Sequence, residues 1–436
     1  MLRLEFGVHN LRGSVSAMRR WNAGVLRKVD LVLRVCARSK LLLLTAVLVS
    51  SVAFGQAERQ APNQPAMQMP APTPNDTLKS VEVMPDRHVR FRLWAPNATE
   101  VKLHAEGPEA TPGITPQEAN KYQGGVAMVK GDQGIWEAVI GPIEAGTYRY
   151  TFTVDGVSTT DPRNPLTSQS LIHSSSMYEV QGSEFTELKP GVPHGGISTV
   201  YYDSSATGGQ RRMHVYTPPG YESGTARLPV LYLLHGGGDS DDSWGTVGRA
   251  GAILDNLIAA GKAAPMMIVM PAGHVSTDFR LVPGARMGHD AFNDDLTKVV
   301  LPFIDAHYRT VADRDHRAIA GLSMGGLQAL NIALDDSADF AYVGIFSSGW
   351  FPNVQKEEED TDVAQYRTSG KPYHLFWVNA GQYDIALQNS DATVTILKKA
   401  GIDVEQHHSA GFHAWNNWRD YLNQFAPLLF KKSGTQ

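Results

Sequence analysis

The residues whose types and spacing could do chemistry lie in the second half of the chain. Arg317-Ala318-Ile319-Ala320 reads as a short apolar strand, Gly321-Leu322-Ser323-Met324-Gly325-Gly326 follows it, and Leu327 to Leu334 reads as a helix. A G-x-S-x-G turn between a strand and a helix is a nucleophile elbow. Its small residues permit a strained serine whose hydroxyl stands above the sheet edge, with the helix N-terminus behind it. The chemistry this implies is acyl transfer. A serine hydroxyl is a weak nucleophile at its own pKa, so Ser323 needs a base, and the base needs an acid to orient it.

In such an arrangement the order along the chain is serine, acid, histidine. His374 to Asn379 reads as a buried strand that opens into Gly381-Gln382-Tyr383-Asp384, which puts Asp384 just past a strand's C-terminal end, the sheet edge where ligands bind. Asp391 is the rival acid and is expected to be the N-cap of the next helix. Gly411-Phe412-His413-Ala414-Trp415 follows the strand-like Val404–His408 and precedes a terminal helix, which makes His413 the candidate base. His407 and His408 remain alternatives, read as structural or substrate-rim histidines.

A tetrahedral intermediate also needs donors aimed at its oxyanion. Val230–Leu234 runs into His235-Gly236-Gly237-Gly238, a loop able to present backbone N–H groups at close range. The backbone amides of Gly237 and Met324 are assigned to that role. No Lys-Ser/Thr follows these glycines, so a phosphate cradle is excluded. Trp244, Trp350 and Trp415 are placed on loops beside these segments. Stacking on a ligand and packing in a core are equally open for them, and none is assigned to the site. Arg280 and Arg286 could meet an acidic substrate but are read as solvated surface charge. No cofactor and no metal are called for: an HExxH spacing is absent, and His407-His408 alone is a weak metal signal.

These residues need a scaffold. The 436 residues suggest two or three domains, and 42% apolar against 19% charged composition fits a globular chain. Nine Lys/Arg and only Glu5 and Asp30 fall in the first 40 residues, and the uncharged apolar run Leu41–Phe54 follows. Residues 1–55 therefore read as a secretory signal peptide, with Met1 or Met18 as the start. The apolar run is shorter than the ~20 residues of a spanning helix, so no membrane anchor is expected after cleavage. With an overall charge of −5 and a basic leader, the remainder is clearly acidic, which argues against nucleic acid as a partner. The single cysteine, Cys36, would leave with the leader, which excludes a thiol nucleophile or disulfide scaffold in the mature chain.

Residues 56–78 form a Pro/Gln-rich tether. Over 79–182 the pattern has period two: Val89, Phe91 and Leu93 alternate with Arg90 and Arg92, and Tyr148, Tyr150, Phe152 and Val154 alternate with Arg149, Thr151 and Thr153. This predicts a small all-β sandwich with solvated outer faces. After a Pro/Gly-rich joint over 183–198, apolar strands alternate with amphipathic helices over 199–432. The fold class is α/β, a mainly parallel doubly wound sheet preceded by an immunoglobulin-like sandwich.

The segments FRLWAPNATEVKL, GIWEAVIGPIEAGTYRYTFTVDG and DPRNP resemble the early-set immunoglobulin-like modules that precede glycogen-branching and related enzymes. Such modules often bind glucan through exposed aromatics, and Trp94 and Trp136 are the candidates, though core packing suits both better. HVYTPPGY, VLYLLHGGG, ILDNLIAAGK, IVMPAGH, LPFIDAHYRT, RAIAGLSMGG, NAGQYD and GFHAWNNWR resemble the esterase-D or carbohydrate-esterase family one branch of the α/β-hydrolases. The resemblance covers nearly all of 199–432. It implies Ser323 as nucleophile, Asp384 as orienting acid, His413 as base, Gly237 and Met324 as oxyanion donors, and no cofactor. Asp239, Ser240, Asp241 and Asp242 depart from the pattern by being unusually acidic.

The expectation is a secreted or periplasmic serine esterase acting on feruloyl or acetyl esters of plant polysaccharide, its partner being an ester substrate linked to carbohydrate, with glycan contact by the N-terminal module. A siderophore esterase of the enterochelin type, an acyltransferase to a sugar acceptor and a non-catalytic glycan-binding protein are the alternatives. The oligomeric state is not encoded in any motif of this sequence.

Overall fold

The computed structural model describes residues 71–111, 113–275, 291–360 and 372–431. The leader with Cys36, most of the tether, and Arg280 and Arg286 lie outside the described residues. Among the described residues no helix is long and apolar enough to cross a membrane.

The period-two segments form two antiparallel sheets. One runs Val81–Val83, Val89–Trp94, Ile135–Ile140, Val129–Lys130; the other runs Val126–Ala127, Val101–Ala105, Gly146–Val154, Ser174–Val180, Thr167–Gln169. Phe91, Leu93, Leu103, Trp136, Ile140, Tyr148, Tyr150 and Phe152 close one apolar core between them. The Phe91 ring meets Tyr150 edge-on at 4.9 Å and Tyr178 at 5.2 Å, an arrangement that adds about 0.5–1.5 kcal/mol per pair beyond burial. Trp136 is in this core and donates its indole N–H to Ala95 O at 2.9 Å, while Trp94 is half-buried and donates to Gln133 O at 3.0 Å.

The second domain is built on eight strands, β1 (Gly196–Ser204), β2 (Gly209–Thr217), β3 (Val230–Leu234), β4 (Met267–Pro271), β5 (Arg317–Leu322), β6 (Tyr342–Phe346), β7 (Leu375–Gly381) and β8 (Glu405–Ser409). Their order across the sheet is β1-β2-β4-β3-β5-β6-β7-β8. The pairs β1–β2 and β2–β4 are antiparallel, and every later pair is parallel. Strand β1 starts inside the stretch read as a joint. Strands β3 and β4 are buried along their whole length, as a sheet covered on both faces requires. Helices Ala250–Ala259 and Trp415–Phe425 cover one face through Ile253, Leu257, Tyr421 and Phe425. Helices Met324–Asp335 and Leu387–Lys399 cover the other through Leu327, Leu330, Val394 and Leu397.

The outer face of the sandwich departs from the sequence expectation. Arg149, Ser168 and Ser175 fall on polar positions yet are buried, because that face docks on the α/β domain within one compact unit. Arg149 Nη1 meets Asp239 Oδ1 at 2.6 Å, and its Nη2 donates to Ser243 Oγ at 2.7 Å and Ser168 Oγ at 2.9 Å. Gln169 N donates to Asp242 Oδ2 at 2.8 Å, and Leu171 N to Gly238 O at 3.2 Å. Reciprocally, Arg419 of the terminal helix is buried and donates to Thr147 O at 2.6 Å, its guanidinium 5.2 Å from the Tyr148 ring centre. The acidic run after the glycine loop is therefore a docking surface for the sandwich.

Removing one member of a buried ion pair leaves the other charged and unpaired, at a cost of about 3–5 kcal/mol. Arg149→Ala is expected to lower stability by about that much, read as a shift of the urea midpoint. An Arg149→Met, Asp239→Leu double variant is expected to recover most of the loss.

Candidate active site

Ser323 follows β5 directly and has φ 52°, ψ −116°, outside the regions L-residues normally occupy. The elbow is over-determined by its neighbours. A Cβ at Gly321 would run into the Gly325 backbone, and a Cβ at Gly325 would lie 2.5 Å from His235 O. Ser323 N donates to Phe346 O at 2.9 Å, and Ser348 Oγ donates to Ser323 O at 2.6 Å. The sharp turn starts helix Met324–Asp335 immediately, so the Met324 N–H is one of the amides without a partner inside the helix.

Three neighbouring strands end beside this one. Ser347 follows β6, Asp384 follows β7 and His413 follows β8, all at the C-terminal edge of the parallel ladder. Asp384 Oδ1 lies 2.8 Å from His413 Nδ1 and also accepts Ala386 N at 2.8 Å. The Asp384 side chain is fully buried and that of His413 is 20% exposed. Burial pushes the Asp384 carboxyl up, but the His413 contact, the facing Ser347 hydroxyl and the Ala386 amide outweigh it and hold the pKa below the usual value. Asp384 Oδ2 is buried and closes no hydrogen bond in strict geometry. Trp418 locks this arrangement: its indole N–H donates to Ser347 Oγ at 2.9 Å and its ring stands edge-on to His413 at 5.0 Å. Among the described residues no hydrogen bond closes between Ser323 Oγ and His413 Nε2; such bonds often form only once substrate is bound.

The glycine loop packs against the elbow. A Cβ at Gly236 would lie 2.6 Å from Leu322 Cδ1 and 3.6 Å from Ser323 Cβ. His235 fixes the loop: its Nε2 accepts Gly273 N at 2.8 Å, so the proton sits on Nδ1, which donates to Gly236 O at 2.9 Å. Burial lowers the His235 pKa and keeps the ring neutral. His274 packs its ring 5.3 Å from His235, and burial lowers its pKa to about 4. Gly236 O also accepts Asp239 N at 3.1 Å, while among the described residues the Gly237 N–H is committed to no backbone partner.

The rival residues lie elsewhere. Asp391 is inside helix Leu387–Lys399, whose N-cap is Ala386; the capping role expected of Asp391 is thus incorrect, and it instead pairs with His408 Nε2 at 2.8 Å. His407 contacts Glu405 at 3.3 Å and packs on Trp377. Trp244 and Trp350 are buried in the two cores flanking the sheet, and Trp415 is buried beneath the Arg149 guanidinium, at 5.6 Å. Among the described residues no group of three or more His, Cys, Asp or Glu is arranged to hold a metal ion. Sequence reasoning missed His235, Ser347 and Trp418. The only available signals were a histidine heading the glycine run and a Ser-Ser pair ending an apolar strand.

Residues 204–429 match the Esterase family ("Putative esterase"). The chain belongs to this family. Residues 80–168 match Carbohydrate-binding module 48 (Isoamylase N-terminal domain), the kind of module that the early-set resemblance implied. An endo-1,4-beta-xylanase/feruloyl esterase from Xylanibacter ruminicola is 31% identical over 353 residues, covering 79% of this chain. This chain spans 45% of that relative's length. A solved ferulic acid esterase from Anaeromyces mucronatus superposes with TM-score 0.51 at 26% identity, over 57% of this chain and 96% of its own. The enterochelin esterase of Shigella flexneri shares the fold over 80% of this chain and 94% of its own, with TM-score 0.54 at 16% identity. These likenesses agree with an α/β-hydrolase sheet preceded by an immunoglobulin-like module.

In this chain the Gly325 contact predicts a reversal of the ordinary helix rule. Gly→Ala inside a helix normally gains about 0.5–1 kcal/mol. Gly325→Ala is expected to lose about 1–3 kcal/mol through overpacking against His235 O, measured by denaturant unfolding.

Proposed function

We propose that this chain is a secreted or periplasmic serine esterase that hydrolyses carboxylic esters through an acyl-enzyme, acting on feruloyl or acetyl esters of plant polysaccharide. The observation that carries the reading is a strained Ser323 elbow on the same row of strand ends as a His413–Asp384 pair. In this reading Ser323 Oγ attacks the ester carbonyl carbon while its proton passes to His413 Nε2. The amides of Gly237 and Met324 take up the negative charge on the carbonyl oxygen. Collapse breaks the bond to the alcohol oxygen, which leaves with the His413 proton, and the acyl group stays on Ser323. Water then attacks the acyl-enzyme, gives its proton to His413, and the carboxylic acid departs as Ser323 recovers its hydrogen. Asp384 holds the imidazole with its proton on Nδ1, so that Nε2 is free to accept.

The substrate class is supported by the relative whose name includes feruloyl esterase and whose match extends over most of this chain. It is also supported by the likeness to a solved ferulic acid esterase above 25% identity. The basic leader and its apolar run support export. A catechol siderophore ester is the second reading, favoured by the fold shared with the enterochelin esterase over both modules.

Ser323→Ala is expected to abolish fluorophosphonate labelling and to cut kcat/KM on methyl ferulate by about 10⁴ or more; Asp384→Asn is expected to cost about 10⁴ in kcat. Unchanged turnover in Ser323→Ala would refute the mechanism. A panel of methyl ferulate, acetylated xylan and a catechol siderophore ester decides the substrate, and a wild-type chain inactive on the first two would sink the polysaccharide assignment. Added xylo-oligosaccharide that diverts acyl product from free acid would identify a transferase.

A further inference from the structure

The sandwich does more at the site than dock beside it. Two adjoining cavities of about 460 and 320 Å³ lie along the seam between the domains. Both are lined by Glu106, Glu109, Arg149, Ser175 and His413, so residues of the N-terminal module and the candidate base share one cleft. The larger volume is within the range of small-molecule sites. The opposite wall is aromatic: the rings of Tyr383 and Phe412 pack at 5.2 Å, Tyr383 is 44% exposed, and Ile385 beside it is 84% exposed. Tyr383 and Ile385 thus leave apolar surface open at the lip of this cleft, available to a ligand.

We infer that this cleft is the subsite for the alcohol half of the ester, a neutral polyhydroxyl group such as a sugar, with Glu106 and Glu109 of the sandwich accepting its hydroxyls and Tyr383 with Phe412 stacking on its ring. The inference rests on the esterase reading, because the leaving oxygen must take its proton from His413 and the alcohol must therefore lie on the His413 side of Ser323. The carboxylates are held in place. Gly107 N lies 3.0 Å from each oxygen of Glu109, and Glu106 Oε2 accepts Arg149 N at 3.2 Å. Each carboxylate keeps acceptor sites free for ligand hydroxyls. The nearest guanidinium, Arg149, is committed to Asp239, Ser168 and Ser243. Among the described residues an anionic alcohol would therefore meet two acidic side chains whose nearest guanidinium, 4.0 Å from Glu106, is already engaged. Burial raises the pKa of both groups, that of Glu106 to about 7 against the opposing pull of Arg149, so Glu106 can also donate to a sugar oxygen near neutrality.

The test uses the full chain and two ferulate esters, methyl ferulate and a feruloylated arabinoxylo-oligosaccharide. Glu109→Gln is expected to lower kcat/KM on the oligosaccharide ester about tenfold, the effect of losing one charge-assisted hydrogen bond, and to leave methyl ferulate within about twofold. Glu106→Gln provides a second variant should the first fold poorly. Equal effects on both esters, or none on either, would overturn the assignment. Binding of the unesterified arabinoxylo-oligosaccharide to the Ser323→Ala chain separates this inference from the reaction itself. Binding that Glu109→Gln weakens about tenfold supports the subsite even if no ester is turned over. Absence of binding while methyl ferulate is hydrolysed refutes the subsite and leaves the esterase reading intact.

The raised carboxyl has a stability signature too. A folded-state pKa above the unfolded value means that the native chain binds the extra proton. Glu106 therefore contributes stability below pH 4.5 that is lost as pH rises toward about 7. Glu106→Gln is expected to flatten the fall in melting temperature across that window.

Discussion

The site depends on four parallel strands ending in register. Leu322 pairs with Phe346, Phe346 with Asn379, and Asn379 with His407, a single row across β5, β6, β7 and β8. The ladder continues beyond the row: Ser323 N bonds Phe346 O, Ser347 N bonds Asn379 O, and Gln382 N bonds Ser409 O. Each strand thus delivers its next residues to one edge at the ~4.8 Å spacing of a sheet. A slip of one residue in any pairing would swap side chains between the two covered faces and disrupt both cores, so the packing that fixes the register also fixes the site. Strain at Ser323 persists because this ladder, the glycine packing and the Ser348 hydrogen bond all oppose its relaxation.

The second constraint is the pair of buried arginines crossing the domain seam in opposite directions. Arg149 reaches from the sandwich to the residue just after the glycine loop, and Arg419 reaches from the terminal helix back to the Thr147 carbonyl. Both leave water, a cost met only where the hydrogen bonds are nearly complete. The result is a sandwich whose strand Gly146–Val154 is held against the loop carrying Gly237. The cleft wall therefore has a fixed position relative to His413, unlike a module on a flexible tether.

Much of this was legible in the sequence because it rests on local pattern. The strands β3 to β7 were visible as apolar runs, the elbow as G-x-S-x-G between a strand and a helix, and Asp384 and His413 as residues just past strand ends. What stayed hidden depends on contacts between distant segments. Arg149 sits on a polar position of a period-two strand, where alternation predicts solvent; only the docked partner makes it buried. The acidic run from Asp239 to Asp242 read as a departure from the family pattern because its partners, Arg149, Arg212 and the Gln169 amide, are remote in sequence. Asp391 looked like a cap because helix starts are uncertain by a turn, and the helix begins four residues earlier, at Leu387.

The charge pattern around the cleft separates two jobs. Near the glycine loop, His235 and His274 are both kept neutral by burial, so neither brings a full positive charge to the place where an oxyanion would form, and stabilisation there falls to oriented amide dipoles. On the other side of Ser323, Asp384 is held ionised against His413, with Glu106 and Glu109 beyond it. In the proposed attack the proton moves to His413, and the imidazolium that develops is paired with Asp384. The low-dielectric seam strengthens that attraction relative to water. The sandwich thus sets acidic side chains beside the cleft, which disfavours any alcohol that arrives carrying negative charge of its own.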